Sequence, residues 1–375
     1  MSTGAEPLRL PVPPGTTPGR DAPHRLEREA APPRLRRGRK LLRTAVSLAL
    51  VAAIFGFALP HFASYHSVWA SVGAMTWPRL IFVAGTATAS MVSYWIMICQ
   101  VLPSIRLRQA AVVNLGSNAV ANTLPAGGAL AMAVSWRMLS GWGVSTAEYV
   151  LYTLVSGVWN VLARLGLPVL ALLVLMTAAR PGAFLVAAAV AGLIALVTVA
   201  AGFGLLLRSE PFARRAGRVL HRPCARTCRL ARRPAPGDVA ESLCGFRGRA
   251  AALLSARGWR ITAATVTSQI ALWLVLLACL RGVGLSQAQI PWQTSLAAFA
   301  FVGLLTALPI TPGGLGVAEL GLVSALTVGA SHRVSAQVTA AVLLYRAVTY
   351  LPPIPLGALA CLTWQHAPRL IRASR

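Results

Sequence analysis

Three charged residues stand inside apolar runs of this chain: Arg164, Glu319 and Arg346. A charge at the centre of a bilayer costs about 2.5–3.5 kcal/mol on insertion scales, so each needs a partner or a function. A guanidinium engages two phosphate oxygens at once through its planar fork. Arg346 or Arg164, turned toward a cavity, could therefore hold a lipid phosphate. Arg346 is also the natural partner of Glu319, and such a pair could do no more than lock two helices. Proton coupling through Glu319 is a third reading. Glu148, the other acid of the apolar runs, falls at a membrane edge.

Each arginine follows a Pro/Gly break in the apolar pattern. The first break is Leu124-Pro125-Ala126-Gly127-Gly128, and the second runs from Pro309 through Pro312, Gly313 and Gly314 to Gly316. Backbone groups freed at a break have no partner in hydrocarbon, so such segments must line a protein-enclosed cavity. Two breaks in corresponding places point to a transporter built from repeats, with its site near the membrane midplane. The interval from Gly127 to Arg164 is 37 residues, and that from Gly313 to Arg346 is 33. Asn114, Asn118 and Asn122 recur at i, i+4 and i+8 and share one helix face. That polar stripe can face a cavity or serve interhelical hydrogen bonds. The glycine pairs can likewise expose helix ends to a polar group or permit close packing.

The elements that carry these residues are membrane spans. The chain is 56% hydrophobic and 12% charged, with a mean hydropathy of +0.65. Soluble domains carry roughly 25% charged residues. The net charge of +26 is concentrated in residues 9–43, 208–260 and the last seven. Lys/Arg beside apolar spans marks the cytoplasmic side, with anionic lipid headgroups as counter-charge. No nucleic-acid module is present, so nucleic acid is not an expected partner. His221, Cys224, Cys228 and Cys244 match no zinc spacing, and no metal or cofactor is expected.

The fold class is an all-α polytopic membrane protein of about six full spans plus two broken or re-entrant segments. Residues 1–40 form a disordered basic cytoplasmic tail. The first transmembrane half covers 41–207, with spans at 44–59, 80–102, 147–178 and 183–207 and a re-entrant segment at 110–136 that brings Arg137 to the cytoplasmic edge. A basic cytoplasmic loop covers 208–260. The second half, 261–365, has spans at 261–280 and 334–364. Between them, 295–330 is a hairpin or two short spans. A basic tail, 366–375, ends the chain. The first break is then entered from the cytoplasm and the second from outside, as in an inverted-topology repeat. Trp69, Trp77, Trp292 and Trp364 read as interface anchors.

The run Pro312-Gly313-Gly314-Leu315-Gly316-Val317-Ala318-Glu319, with Leu343-Leu344-Tyr345-Arg346 after it, resembles the lysylphosphatidylglycerol synthase transmembrane-region family of flippase-like proteins. The stretch Asn114 to Arg137 is similar to that family's first signature region. The resemblance covers about residues 40–365. Full synthases add a cytoplasmic aminoacyl-transferase domain after the membrane part. This sequence reaches Arg375 without one, so the resemblance implies lipid binding or translocation rather than synthesis. Some members carry an acidic–arginine pair where this chain has Trp159-Asn160 and Arg164.

The expected function is a flippase-like membrane protein that moves a phospholipid or lipid-linked substrate, with anionic headgroups as its partners. Asn118, Asn122, Pro125, Gly127, Gly128, Arg137, Arg164, Pro312, Gly313, Gly314, Glu319 and Arg346 are the transport-site candidates. The alternatives are a lipid-modifying membrane transferase or an accessory subunit of a cell-envelope pathway. Metal-assisted transfer usually needs clustered carboxylates, and the two aspartates, Asp21 and Asp238, lie apart in basic segments. No catalytic residue is therefore assigned. The topology is testable. An impermeant thiol reagent applied to intact cells should leave Cys224, Cys228 and Cys244 unlabelled; labelling of these three reverses the orientation.

Overall fold

The computed structural model describes residues 73, 75–123, 127–176, 183–219, 239–306 and 317–366. All of these belong to one compact unit, residues 54–375, and all regular structure among them is helical. The expected first span at 44–59 and both tails, apart from His366, lie outside the described residues.

Ten helices carry the architecture: α1 (Trp77–Val101), α2 (Leu107–Thr123), α3 (Gly127–Gly141), α4 (Thr146–Leu175), α5 (Ala183–Arg208), α6 (Val239–Gly282), α7 (Trp292–Leu305), α8 (Val317–Leu326), α9 (His332–Tyr350) and α10 (Pro353–His366). Local chemistry sets several of their ends. Pro78 sits in the first turn of α1, where a missing N–H costs nothing, and Pro103 follows its last turn. Ser145 and Glu148 form a reciprocal capping box that starts α4, satisfying two otherwise orphan N–H groups. Pro352-Pro353 separates α9 from α10, because proline N cannot continue the hydrogen-bond ladder.

Among the described residues, five stretches are long and apolar enough to cross a membrane: Trp77–Val101, Thr146–Leu175, Val186–Arg208, Glu241–Gly282 and Arg333–Trp364. They match five of the six expected spans. The last is α9 and α10 taken together. α5 is apolar all round and has few buried residues, as a helix at the lipid-facing periphery would.

The broken segments are hairpins. α2 starts beside the end of α1, and α3 returns to the same place, where Leu139 and Val144 pack with Ile98, Leu102 and Ile105. α7 starts beside the end of α6. α8 returns there, where Leu322 and Leu326 pack with Leu280, Leu285 and Ile290. Within the stretch 295–330, the described helices α7 and α8 pack against each other, and each is too short to span alone. At about 1.5 Å per residue, none of the four hairpin helices reaches the roughly 30 Å of a bilayer core.

The packing partners repeat between the halves. α1 and α6 pack along each other, from Val83 beside Leu280 to Val101 beside Ala250. They run antiparallel. α2 lies on α10 and α7 lies on α4; in the latter contact Ala171 and Leu175, beyond Pro168, meet Ala297 and Ala300. The part of α4 after Pro168 thus corresponds to α10 after Pro352-Pro353. Gly143 (φ 88°) precedes Ser145 and α4, while Gly329 (φ 72°) precedes Ser331 and α9. Both glycines take the left-handed conformation that other residues avoid. α5 packs on α4 and has no counterpart in the second half among the described residues.

The basic stretch expected to be a loop over 208–260 differs from that expectation. It is helical over 210–219 and again from Val239 onward. Phe246, Ala250 and Ile261 are buried on one face of α6 against Met97 and Val101 of α1 and Val155 of α4. Apolar burial at this spacing holds the arginine-rich sequence helical.

Interhelical contact inside lipid relies on close backbone approach at small residues, since burial from lipid gives little drive. Gly357 of α10 is the tightest such point. A Cβ there would strike the Leu115 carbonyl and come within 2.7 Å of the Ala119 Cβ. Gly85 in α1 has nothing within 4 Å of the same position. Overpacking costs about 1–3 kcal/mol. Gly357→Ala should therefore lower the thermal unfolding midpoint of the purified protein by several degrees, and Gly85→Ala should leave it nearly unchanged. Equal midpoints would show that α2 and α10 separate freely.

Candidate functional site

The charged residues of the apolar runs separate into a pair, Glu319 with Arg346, and one arginine, Arg164, outside it. Glu319 lies in the first turn of α8, and Arg346 lies near the end of α9. Arg346 Nε donates to Glu319 Oε1 at 2.7 Å, with both side chains mostly buried. The guanidinium also sits 5.1 Å from the centre of the Tyr350 ring, a cation–π contact one helical turn on. The second carboxylate oxygen, Glu319 Oε2, is buried and has no hydrogen-bond partner among the described residues.

Tyr350 connects this pair to the first hairpin. Its hydroxyl donates to the Asn122 carbonyl at 3.0 Å. Asn122 is in the last turn of α2, where carbonyls lack intrahelical partners. α9 of the second half thus satisfies a backbone acceptor freed by the break in the first half. The return into α3 is equally tight. A Cβ on Gly127 would fall against the Ala121 carbonyl and 2.8 Å from that of Val120, whereas the position on Gly128 is open. Of the first glycine pair, only Gly127 is required by close approach.

Arg164 differs from Arg346. It is exposed, and it makes no hydrogen bond or ion pair with any described residue. It stands on a stripe of α4 formed by Val150, Leu154, Gly157 and Val161, all exposed, so its face is otherwise apolar. One turn before it, Asn160 donates through Nδ2 to the Ser156 carbonyl at 2.8 Å. Asn160 also lies near the half-buried Tyr94 phenol of α1. Tyr94 and Arg164 are near enough to interact electrostatically.

The buried Tyr345 of α9 precedes Arg346 and belongs to the apolar cluster against which Leu167 of α4, one turn beyond Arg164, packs. Arg164 comes from the first half, and Arg346 and Glu319 from the second. The sequence profile for the lysylphosphatidylglycerol synthase transmembrane region matches residues 43–357. The chain belongs to this family. No curated relative matches the chain. Together with its apolar helices, the family makes this an integral membrane protein.

The other expected site residues fall as follows. Asn118 is half-buried in α2. Asn114 accepts from Trp95 Nε1 at 3.1 Å, so its end of the asparagine stripe ties α2 to α1 rather than lining a cavity. Arg137 is exposed near the end of α3, at the arginine-rich end and away from Arg164 and Arg346. Pro125, Pro312, Gly313 and Gly314 lie outside the described residues, as do His221, Cys224 and Cys228. No group of three or more His, Cys, Asp or Glu among the described residues could hold a metal ion. Sequence reasoning does not single out Tyr94, Tyr345 or Tyr350. The signal available was position: Tyr345 adjoins Arg346, and Tyr350 follows it by four residues.

Breaking a buried ion pair from one side leaves an uncompensated charge and costs about 3–5 kcal/mol; the slight exposure of this pair brings that down to roughly 2–4 kcal/mol. Arg346→Gln alone should therefore destabilise the purified protein strongly. Combining it with Glu319→Gln should restore most of the thermal midpoint. A double variant as unstable as the single one would show that the pair is not the source of the loss.

Proposed function

We propose that this protein binds a phospholipid or lipid-linked substrate by an anionic headgroup and carries it between the leaflets of the cell membrane. The observation that carries the reading is Arg164, an exposed arginine on an otherwise apolar face of a membrane span, with no acidic partner among the described residues. An arginine inside a span is costly unless it serves a substrate, an ion or a partner charge. Arg346 has its partner in Glu319; Arg164 has none among the described residues. A guanidinium is well matched to phosphate oxygens. The matching short-helix pairs α2–α3 and α7–α8, one in each half, support a site shared by the two halves.

The family supports the same direction, since its name attaches this membrane region to a lipid-related protein. In this reading the tails remain in lipid, and the exposed apolar stripe of α4 below Arg164 guides them. The headgroup exchanges water for the arginines and the tyrosine hydroxyls. The arginine-rich end, with both termini, faces the cytoplasm, as the bias of Arg106, Arg108, Arg137, Arg208, Arg214, Arg215 and Arg218 favours. No covalent change to the lipid is part of the proposal.

The test is leaflet exchange in liposomes holding the purified protein, followed with a fluorescent phospholipid and a quencher confined to one side. It is run with and without a proton gradient. Exchange should exceed that of protein-free liposomes. It should fall several-fold with Arg164→Gln, provided that variant keeps its thermal midpoint. Folded protein that accelerates exchange under neither condition would overturn translocation.

A further inference from the structure

We propose that Glu319, Arg346 and Tyr350 form a latch between the halves, so that separating Arg346 from Glu319 in the second half frees the end of α2 in the first. The latch is a property of the fold and goes beyond the proposed transport. Three contacts in series carry it. Arg346 Nε donates to Glu319 Oε1 at 2.7 Å. The same guanidinium lies 5.1 Å from the centre of the Tyr350 ring. The Tyr350 hydroxyl donates to the Asn122 carbonyl at 3.0 Å. Moving the guanidinium therefore disturbs the ring on which the last bond depends.

The base of the series is fixed. Val338, Ala341, Val342 and Leu344 bury α9 in the core, and its backbone holds Arg346 and Tyr350 one turn apart. The ends of the series lie at helix ends. Glu319 is in the first turn of α8, and Asn122 is in the last turn of α2. α10 closes on α2 at Leu115 and Ala119 through Gly357. Past that point, Tyr350 supplies a hydrogen bond from the second half to the last turn of α2. Gly127 sits against the Val120 and Ala121 carbonyls, so that turn and the start of α3 move as one piece. The latch rests closed. Glu319 Oε2 already lacks a hydrogen-bond partner among the described residues, and a carboxylate left alone at this burial is strongly disfavoured. It opens when another group takes the place of one partner in the pair. Coupling of this kind is reciprocal, so loosening the α2 end also weakens the hold on α8.

The test is amide hydrogen exchange of the full chain in detergent, followed by mass spectrometry. Tyr350→Phe removes the hydroxyl and keeps the ring. It should speed exchange in the last turn of α2, residues 119–123, about fivefold, as loss of one neutral hydrogen bond would. Glu319→Gln should speed exchange in the same turn by a similar factor, although Glu319 lies in the other half. Adding Glu319→Gln to Tyr350→Phe should change that turn little further, because the path is already cut. Peptides around Val83 and Leu280, where α1 and α6 pair, should change far less. Where Glu319→Gln does not fold, Glu319→Asp takes its place, keeping the charge and withdrawing the carboxylate by one methylene. Unchanged exchange at 119–123 in the Glu319 variant, or effects that add in full in the double variant, would overturn the latch. An equal rise around Val83 and Leu280 would overturn it too, since that marks general loosening. Leaflet exchange in liposomes is read separately, so the latch and the transport reading fail independently.

Discussion

Hydrocarbon offers no hydrogen-bond partner, and the rest of this structure follows from that constraint. A helix satisfies its own backbone, so long apolar helices form the periphery. A break cannot, so the backbone groups freed beside a break need partners from elsewhere in the protein. The Asn122 carbonyl shows how: the exposed end of α2 is met by a tyrosine hydroxyl from the opposite half. The same tyrosine lies against the Arg346 guanidinium. A structural requirement of the first half and a charged residue of the second are thereby joined in one contact. This is why the breaks and the arginines occur in the same repeats.

The reciprocal contacts make the charge asymmetry informative. α1 meets α6, α2 meets α10, and α7 meets α4, so the two arginine-bearing helices occupy equivalent places. Their arginines are nevertheless in different electrostatic states. Arg346 is met by a carboxylate, and Arg164 is exposed with no carboxylate partner among the described residues. Equivalent scaffolds with unequal charge give the shared region a direction that backbone symmetry alone would not supply.

Spans are legible in the sequence because an uninterrupted apolar run of about 20 residues fits a membrane crossing and little else. The Glu319–Arg346 pair is legible through scarcity, since acids are almost absent from the apolar runs. The hairpin at 295–330 is not, because two short apolar helices read alike whether they cross or return. Residues 239–260 read as a loop on their arginines. The helical signal there is the spacing of Leu243, Phe246, Ala250, Leu253 and Leu254, which charge obscures. Tyr94 and Asn160 are illegible as site residues for a different reason. An aromatic inside an apolar run looks like packing until the residue across from it is known.

α6 continues without a break from the arginine-rich end to Gly282, 44 residues in all, or about 66 Å of rod. Its two ends are engaged separately: Phe246 and Ala250 against α1 and α4, and Gly282 against Met75, Val83 and the Arg79 guanidinium. Inserting one residue between those grips would turn one end by roughly 100° relative to the other. Both grips could not then be kept. The spacing is therefore under stricter control than the side chains within it. Across the family, this stretch should accept many substitutions while its length stays constant.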